Sequence, residues 1–121
     1  MKLTNDKIFA GIQILEGLHE TGKLGYACAR NLRRLRDAGK EFIEKRDELI
    51  MQYGEEQDNG NYIIPSEKIS ALNAEISEYS EIEHEVDVMQ VSPDVFCSGS
   101  LDSQAMYKLD WMVEEPESLA E

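Results

Sequence analysis

The regular apolar pattern in the middle of the chain is the feature that most constrains its fold. Mostly apolar side chains recur there at alternating spacings of four and three residues, which places them on one face of an α-helix. The pattern ends at Gly54, and glycine commonly terminates helices. The spacing therefore predicts one unusually long helix. The positions that share its apolar face are Cys28, Leu32, Leu35, Gly39, Phe42, Arg46, Leu49 and Tyr53.

The same spacing is compatible with a dimeric coiled coil, because the a and d positions of a heptad alternate in this way. Gly39 and Arg46 lie on the apolar face, however, and the flanking positions lack complementary charges. We therefore favour a long helix against which the other elements of the same chain pack. Glu41 and Lys45, four residues apart, support this helix modestly as an ion pair.

Three shorter helices are predicted on the two sides of the long one. Thr4 is a suitable N-cap for a helix over residues 4–20, with Gly22 as its C-cap. Ser66 is expected to open another helix, and a last helix is predicted to begin near Ser100.

A period of two residues replaces the helical period from Glu81 to Val88 and indicates a β-strand. Residues 62–64 are expected to form a second extended segment after a turn at Asn59-Gly60. Since a single strand cannot satisfy its backbone hydrogen bonds, we expect the first one to pair with residues 62–64 or with a second copy in a homodimer. Its predicted inward side chains are Ile82, His84, Val86 and Val88, and its outward side chains are Glu81, Glu83, Glu85 and Asp87.

These elements predict a mainly helical α+β fold with about four helices, including one long central helix, and one or two short strands. A length of 121 residues suits one domain, which we assign to residues 1–115. Residues 92–100 are expected to form a loop with apolar anchors, and residues 116–121 a flexible acidic tail.

Charge is divided unequally between the two halves of the chain. Residues 1–50 contain ten of the twelve Lys and Arg residues and eight acids, which gives a net charge of +2. Residues 51–121 contain only Lys68 and Lys108 against seventeen acids, which gives a net charge of −15. Such an asymmetry indicates an interaction surface more than a requirement of the fold.

Composition also argues against several classes of protein. A net charge of −13 disfavours direct binding of nucleic acid or of an anionic membrane, because phosphate contacts require Lys and Arg. We find no apolar run of membrane-spanning length and no signal peptide. Cys28 and Cys97 have no C-x-x-C partner, so we expect reduced thiols in the core of an intracellular protein.

No arrangement of residues specifies an enzymatic reaction, a metal site or a cofactor. Neighbours along a strand point to opposite faces, so His84 is predicted to face away from Glu83 and Glu85. Cys28 lies on the apolar face of the long helix, where a thiol is normally inert. We therefore expect a protein that binds a partner rather than an enzyme.

Three arginines form a basic face on the long helix, opposite its apolar face. They are Arg30, Arg33 and Arg34. Asp37 and Glu41 follow one turn later and weaken the case for phosphate binding. Two interpretations stay open: the arginines face acids of the same chain, or they face acids of a partner.

Eight acids occur between Lys68 and Lys108 without an interleaved basic residue. Most charged runs are solvated faces, but ordinary soluble surfaces mix the two signs. A surface of a single sign attracts a partner of the opposite charge. We therefore predict that these acids contact a partner with a basic surface. They are Glu75, Glu78, Glu81, Glu83, Glu85, Asp87, Asp94 and Asp102.

Three stretches, MKLTNDKIFAGIQIL at the start, FIEKRDELIMQYGEEQDNGNY in the centre and LDWMVEE near the end, resemble a family of small proteins from phages and prophages of Gram-positive bacteria. That family is a domain of unknown function, and the similarity extends over most of residues 1–115. The segment VSPDVFCSGSLDSQ departs from the family pattern.

The resemblance implies a phage origin and a site of action in the cytoplasm of the bacterial host. Small acidic phage proteins are commonly inhibitors of host defence nucleases, including anti-CRISPR proteins, or accessory factors in tail and head assembly. Our first hypothesis is an inhibitor that binds a host nucleic-acid-handling protein, as a mimic of nucleic acid. The alternative hypothesis is an assembly chaperone or accessory protein for virion parts.

Overall fold

The structure is a computed structural model that describes residues 1–114. The fold is mainly helical α+β, as predicted, and it is organised around the long helix α2. The predicted tail at 116–121 lies outside the described residues. The helices are α1 (Asn5–Glu16), α2 (Gly22–Tyr53), α3 (Ile69–Ser80), α4 (Pro93–Phe96) and α5 (Ser103–Lys108), with 3₁₀ turns at Ser66–Lys68 and Asp110–Met112. The strands are β1 (Lys2–Thr4), β2 (Glu55–Glu56), β3 (Tyr62–Ile63) and β4 (Glu83–Glu85).

Helix α2 contains 32 residues and is the element against which the others pack. It ends at Tyr53 before Gly54, as the apolar pattern predicts. Its start is earlier than expected, because Gly22 adopts a positive φ of 65° and begins α2. The prediction that Gly22 caps the first helix was therefore wrong, and α1 ends at Glu16 with Gly17 as its C-cap.

Helix α1 crosses α2 at close range and forms the centre of the core. Thr4 caps α1 as predicted, since its hydroxyl accepts a hydrogen bond from the Lys7 N–H at 3.2 Å. Gly39 of α2 lies against Ile8, and Gly11 of α1 lies against Leu35. Because a Cβ at either glycine would approach its neighbour within 2.8 Å, the absence of a side chain is what permits this distance between the helices.

Strand β4 pairs with β1 in antiparallel register, with Leu3 opposite His84 and Thr4 opposite Glu83. The prediction that it pairs with residues 62–64 or with a second copy was therefore wrong. The sequence Lys2–Thr4 is too short to show a strand period. Residues 62–63 instead form a hairpin with Glu55–Glu56, and Gly60 in its turn has a φ of 85°.

The predicted strand over residues 81–88 is shorter than expected. Glu81 caps the end of α3 with helical backbone angles, and Val88 N–H bonds back to the Val86 carbonyl at 3.0 Å, which ends the extended segment. Val86 is buried as predicted, whereas the inward position predicted for Ile82 was wrong, because this side chain is 47% exposed. His84 is half-buried.

The C-terminal third closes the core over α1 and α2. Residues 92–100, predicted as a loop, contain the short helix α4, whose Phe96 is buried. The last helix begins at Ser103 rather than Ser100, because Asp102 provides its N-cap. The structure thus has five helices within residues 1–114, where about four were predicted. Leu109, Trp111 and Met112 then complete the core.

Three further apolar residues, Phe42, Leu49 and Leu72, are buried outside the main core cluster. The Phe42 ring meets the Phe9 ring of α1 edge to face. Helix α3 packs on α2, and Tyr62 and Ile64 lie beside Gly54 at the end of α2. Within residues 1–114, no helix is long and apolar enough to cross a membrane.

Candidate partner-binding surface

The eight acids predicted to contact a partner do not form one row. Glu75 and Glu78 lie one turn apart on α3, and Glu81 follows at its end. Glu83 and Glu85 lie on β4, on the face opposite Leu3 and His84, because side chains alternate along a strand. The remaining three lie further along the chain. They are Asp87 after β4, Asp94 in α4 and Asp102 before α5.

Two of these carboxylates have partners that the sequence did not indicate. The Tyr53 hydroxyl donates a hydrogen bond to Glu75, which raises the pKa of Tyr53. The amine of Met1 donates to the Glu85 carboxylate at 2.7 Å. This hydrogen bond and the charge of the amine lower the pKa of Glu85, with a smaller effect in the same direction from Lys2.

Asp87 faces the basic side of α2. The Arg30 guanidinium lies 3.5 Å from the Asp87 carboxylate, so at least one of the three arginines faces an acid of the same chain. Arg33 and Arg34 line a shallow groove of about 270 Å³ with Arg30 and Tyr26. Arg34 also lines a second depression that Glu85 and Asp87 share. The basic face and the end of β4 are therefore neighbours.

Asp94 and Asp102 lie at the starts of short helices, where a carboxylate has a local role. The Asp102 carboxylate accepts a hydrogen bond from the Ala105 N–H at 2.8 Å. Asp94 lies in the first turn of α4, where the helix dipole favours an anion. Each position therefore has a structural explanation that requires no partner.

Four of the eight acids are exposed and form no side-chain hydrogen bond or ion pair within residues 1–114. Asp94 is one of them and lies by itself at the start of α4. The other three, Glu78, Glu81 and Glu83, are neighbours. They lie where α3 ends and β4 begins, within six residues of one another in sequence. We call this set the acidic corner. In it, three unpaired acids of the predicted surface lie next to one another.

A groove borders the acidic corner, and sequence reasoning missed it. It has a volume of about 230 Å³ and lies between the start of α1, the middle of α2, the end of α3 and β4. Ile82, between Glu81 and Glu83, lines it. The other lining residues are Asn5, Glu41, Phe42, Lys45, Tyr79 and His84. The only indication of the groove in the sequence was Ile82 itself, which the alternating pattern wrongly assigned to the core.

The two cysteines occupy different environments. Cys28 is buried, and burial raises the pKa of its thiol, with a smaller effect from the charge of Glu20. Cys97 is exposed at the end of α4, so its predicted place in the core was wrong. Neither cysteine is in a disulfide. Across residues 1–114, no three His, Cys, Asp or Glu side chains are grouped so as to hold a metal ion.

Comparison of the chain with protein-family models, with curated proteins and with solved structures finds no match. The resemblance to the phage family therefore stays a prediction. Any proposal about function depends on the geometry and charge described above.

Proposed function

We propose that this chain is a phage-encoded binding protein without catalytic activity, which acts in the host cytoplasm and inhibits a host protein that handles nucleic acid. The single observation that supports it is the acidic corner of Glu78, Glu81 and Glu83, three exposed carboxylates that the chain does not neutralise. A nucleic-acid-binding protein presents the complementary basic groove. In this proposal the corner occupies that groove in place of the phosphate backbone, as anti-CRISPR proteins that mimic nucleic acid do.

The electrostatic argument favours the corner over Glu85 and Asp87. Glu85 and Asp87 are already neutralised by the Met1 amine and by Arg30, so a partner gains less from contacting them. Uncompensated carboxylates of one sign raise the rate of association with a basic partner, and this effect falls with ionic strength. The remaining negative charge of the chain adds to the attraction at long range.

The test is affinity capture from host cells with wild type and with a triple variant, Glu78→Gln, Glu81→Gln and Glu83→Gln. A second triple variant, Glu55→Gln, Glu56→Gln and Asp58→Asn, removes the same charge from the exposed β2–β3 hairpin and serves as the control. We expect a captured nuclease or other nucleic-acid-binding protein, steeply weaker capture at high salt, and loss of capture for the corner variant only.

Two outcomes would contradict the proposal. Equal loss for the corner and hairpin variants would mean that net charge, rather than this surface, drives binding. Capture that survives both the corner variant and high salt would mean that charge is not the basis of binding at all.

A second candidate function is an accessory role in assembling the phage head or tail. The observation that favours it is the exposure of three apolar side chains, Met51, Ile63 and Ile69, which lie on α2, β3 and α3 in the distal part of the fold. Exposed apolar side chains of this kind favour protein contacts that persist at high salt. Co-purification with a virion protein, together with loss of virions on gene deletion, would favour this role over inhibition.

A further inference from the structure

The groove beside the acidic corner is formed by residues of four separate elements. Its shape therefore depends on how these elements pack and not on the side chains of a single element. Phe42 of α2 is buried, and Tyr79 of α3 and Ile82 supply further apolar contact area. The Lys45 ammonium lies 5.7 Å from the centre of the Tyr79 ring, which is within the range of a cation–π interaction. The lining thus combines apolar side chains with polar and charged ones.

Asn5 lines this groove and ties the start of α1 to the end of α3. Its side-chain nitrogen donates to the Tyr79 carbonyl at 2.8 Å, and its backbone N–H donates to the Ile82 carbonyl at 2.9 Å. Its carboxamide oxygen is buried and has no hydrogen-bond donor within residues 1–114, although Asn5 is only 4% exposed. A buried acceptor without a donor is costly and uncommon, but this oxygen has almost no accessible surface, so a partner is recognised through the apolar lining and the charged residues of the groove instead.

The size of the groove limits what it can hold. Sites for drug-sized ligands are typically about 300–1,000 Å³, whereas this groove has about 230 Å³. It therefore suits one side chain better than a whole cofactor. A few side chains that fill well-packed, desolvated pockets supply most of the binding energy of protein–protein interfaces.

The charged residues around the groove indicate which residues of a partner would lie next to its anchoring side chain. Glu81 and Glu83 flank Ile82 in sequence, and Glu41 lines the groove itself. All three are exposed, and none forms an ion pair within the described part of the chain. Lys and Arg on both sides of an apolar residue would complement this rim.

We propose that the groove is an anchor site for a partner segment in which one apolar side chain is flanked by basic residues. The apolar side chain packs on Phe42, Tyr79 and Ile82, and the basic residues contact Glu81 and Glu83. This inference rests on the proposed function and adds the chemistry of the partner. Naked nucleic acid does not fit, because its phosphates would meet the acidic rim.

Synthetic peptides test the anchor directly. One heptapeptide has a central leucine, two basic residues on each side and glycine ends, and its matched control has alanine at the centre. We expect the leucine peptide to bind about tenfold more tightly in a fluorescence anisotropy titration, given the apolar area that a leucine buries. Amide shift changes in NMR spectra should be centred on Asn5, Tyr79 and Ile82.

The variants Ile82→Ser and Ile69→Ser form a matched pair. Ile82 is 47% exposed and Ile69 is 45% exposed, but only Ile82 lines the groove. We expect Ile82→Ser to abolish the difference between the two peptides and Ile69→Ser to preserve it. Because both side chains are already half in solvent, both variants should fold, which circular dichroism verifies.

The outcomes separate this inference from the proposal on which it rests. If the two peptides bind equally, or the leucine peptide does not bind at millimolar concentration, the anchor site is wrong. In that case the corner variant with Glu78→Gln, Glu81→Gln and Glu83→Gln gives a second result. If it weakens the binding of both peptides, the acidic corner binds basic partners without an anchor. If the leucine preference persists and these three changes have no effect, the apolar pocket is right, but the basic flanking residues and the electrostatic proposal are both wrong.

Discussion

Asn31 and Met89 are joined by two hydrogen bonds that reproduce the pairing of two β-strands. The Asn31 carboxamide donates to the Met89 carbonyl at 2.9 Å and accepts from the Met89 N–H at 2.7 Å. Asn31 is fully buried on α2, and Met89 follows β4 outside any sheet. One side chain therefore satisfies both backbone groups of Met89 and holds the segment after β4 on the long helix.

Asn31→Leu should destabilise the protein although leucine has the same branching and the same number of side-chain heavy atoms. The change leaves the N–H and the carbonyl of Met89 without their partners, which we expect to cost about 2–4 kcal/mol. Urea denaturation measures this difference. Asn73→Leu, at an exposed position on α3, should change the free energy of unfolding by less than about 0.5 kcal/mol. Similar effects at both positions would contradict the role assigned to Asn31.

Gly39→Val should disturb the crossing of α1 and α2. A Cβ at this position would lie 2.8 Å from the Ile8 Cγ2 atom, and overpacking of a core typically costs about 1–3 kcal/mol. Gly17→Val is the control, because the nearest atom to its added Cβ is a carbonyl oxygen at 3.8 Å. Thermal unfolding should show a clear loss for Gly39→Val only, and tolerance of this change would mean that the helices can separate without penalty.

The elements that the sequence predicted correctly are those with local causes. Thr4 caps α1 through a contact three residues away, and the end of α2 before Gly54 depends on its immediate neighbours. The pairing of β4 with β1 could not be predicted in this way. It joins residues about eighty positions apart through a strand of three residues.

The candidate site shows the same limit. Composition identified the acidic residues, but only the fold shows that Arg30 pairs with Asp87 and that the Met1 amine pairs with Glu85. The alternating pattern assigned Ile82 to the core because it counted β4 from Glu81. Since Glu81 still has helical backbone angles, the strand begins two residues later and Ile82 lies at the groove instead.

Glu75→Gln should lower the pKa of Tyr53 towards its ordinary value of 10.0. In wild type the hydrogen bond to Glu75 raises this pKa, so its stabilising effect is present below pH 10 and is lost as the pH rises through the higher folded-state value. A ¹³C NMR titration of the tyrosine rings measures the shift. Glu78→Gln, one turn along α3, is the control, and an unchanged Tyr53 titration in Glu75→Gln would contradict the hydrogen bond.

The two thiols should react at very different rates with a thiol reagent such as DTNB. Cys97 is exposed, whereas Cys28 is buried and its pKa is raised, so little thiolate is accessible there. We expect one fast thiol in the native protein and two in denaturant. Cys97→Ser should abolish the fast phase and Cys28→Ser should preserve it. Two fast thiols in the native state would mean that the region around Cys28 opens readily.

Asp102 was predicted to contact a partner, but its position predicts a role in folding. Its carboxylate caps α5 through the Ala105 N–H, and replacement of such a cap by alanine typically costs about 1 kcal/mol. Asp102→Asn removes the charge but retains an acceptor oxygen, so it should be nearly as stable as wild type, whereas Asp102→Ala should not. Thermal denaturation of the two variants makes the comparison. If asparagine is as destabilising as alanine, the negative charge at the start of α5, rather than the cap, is what Asp102 supplies.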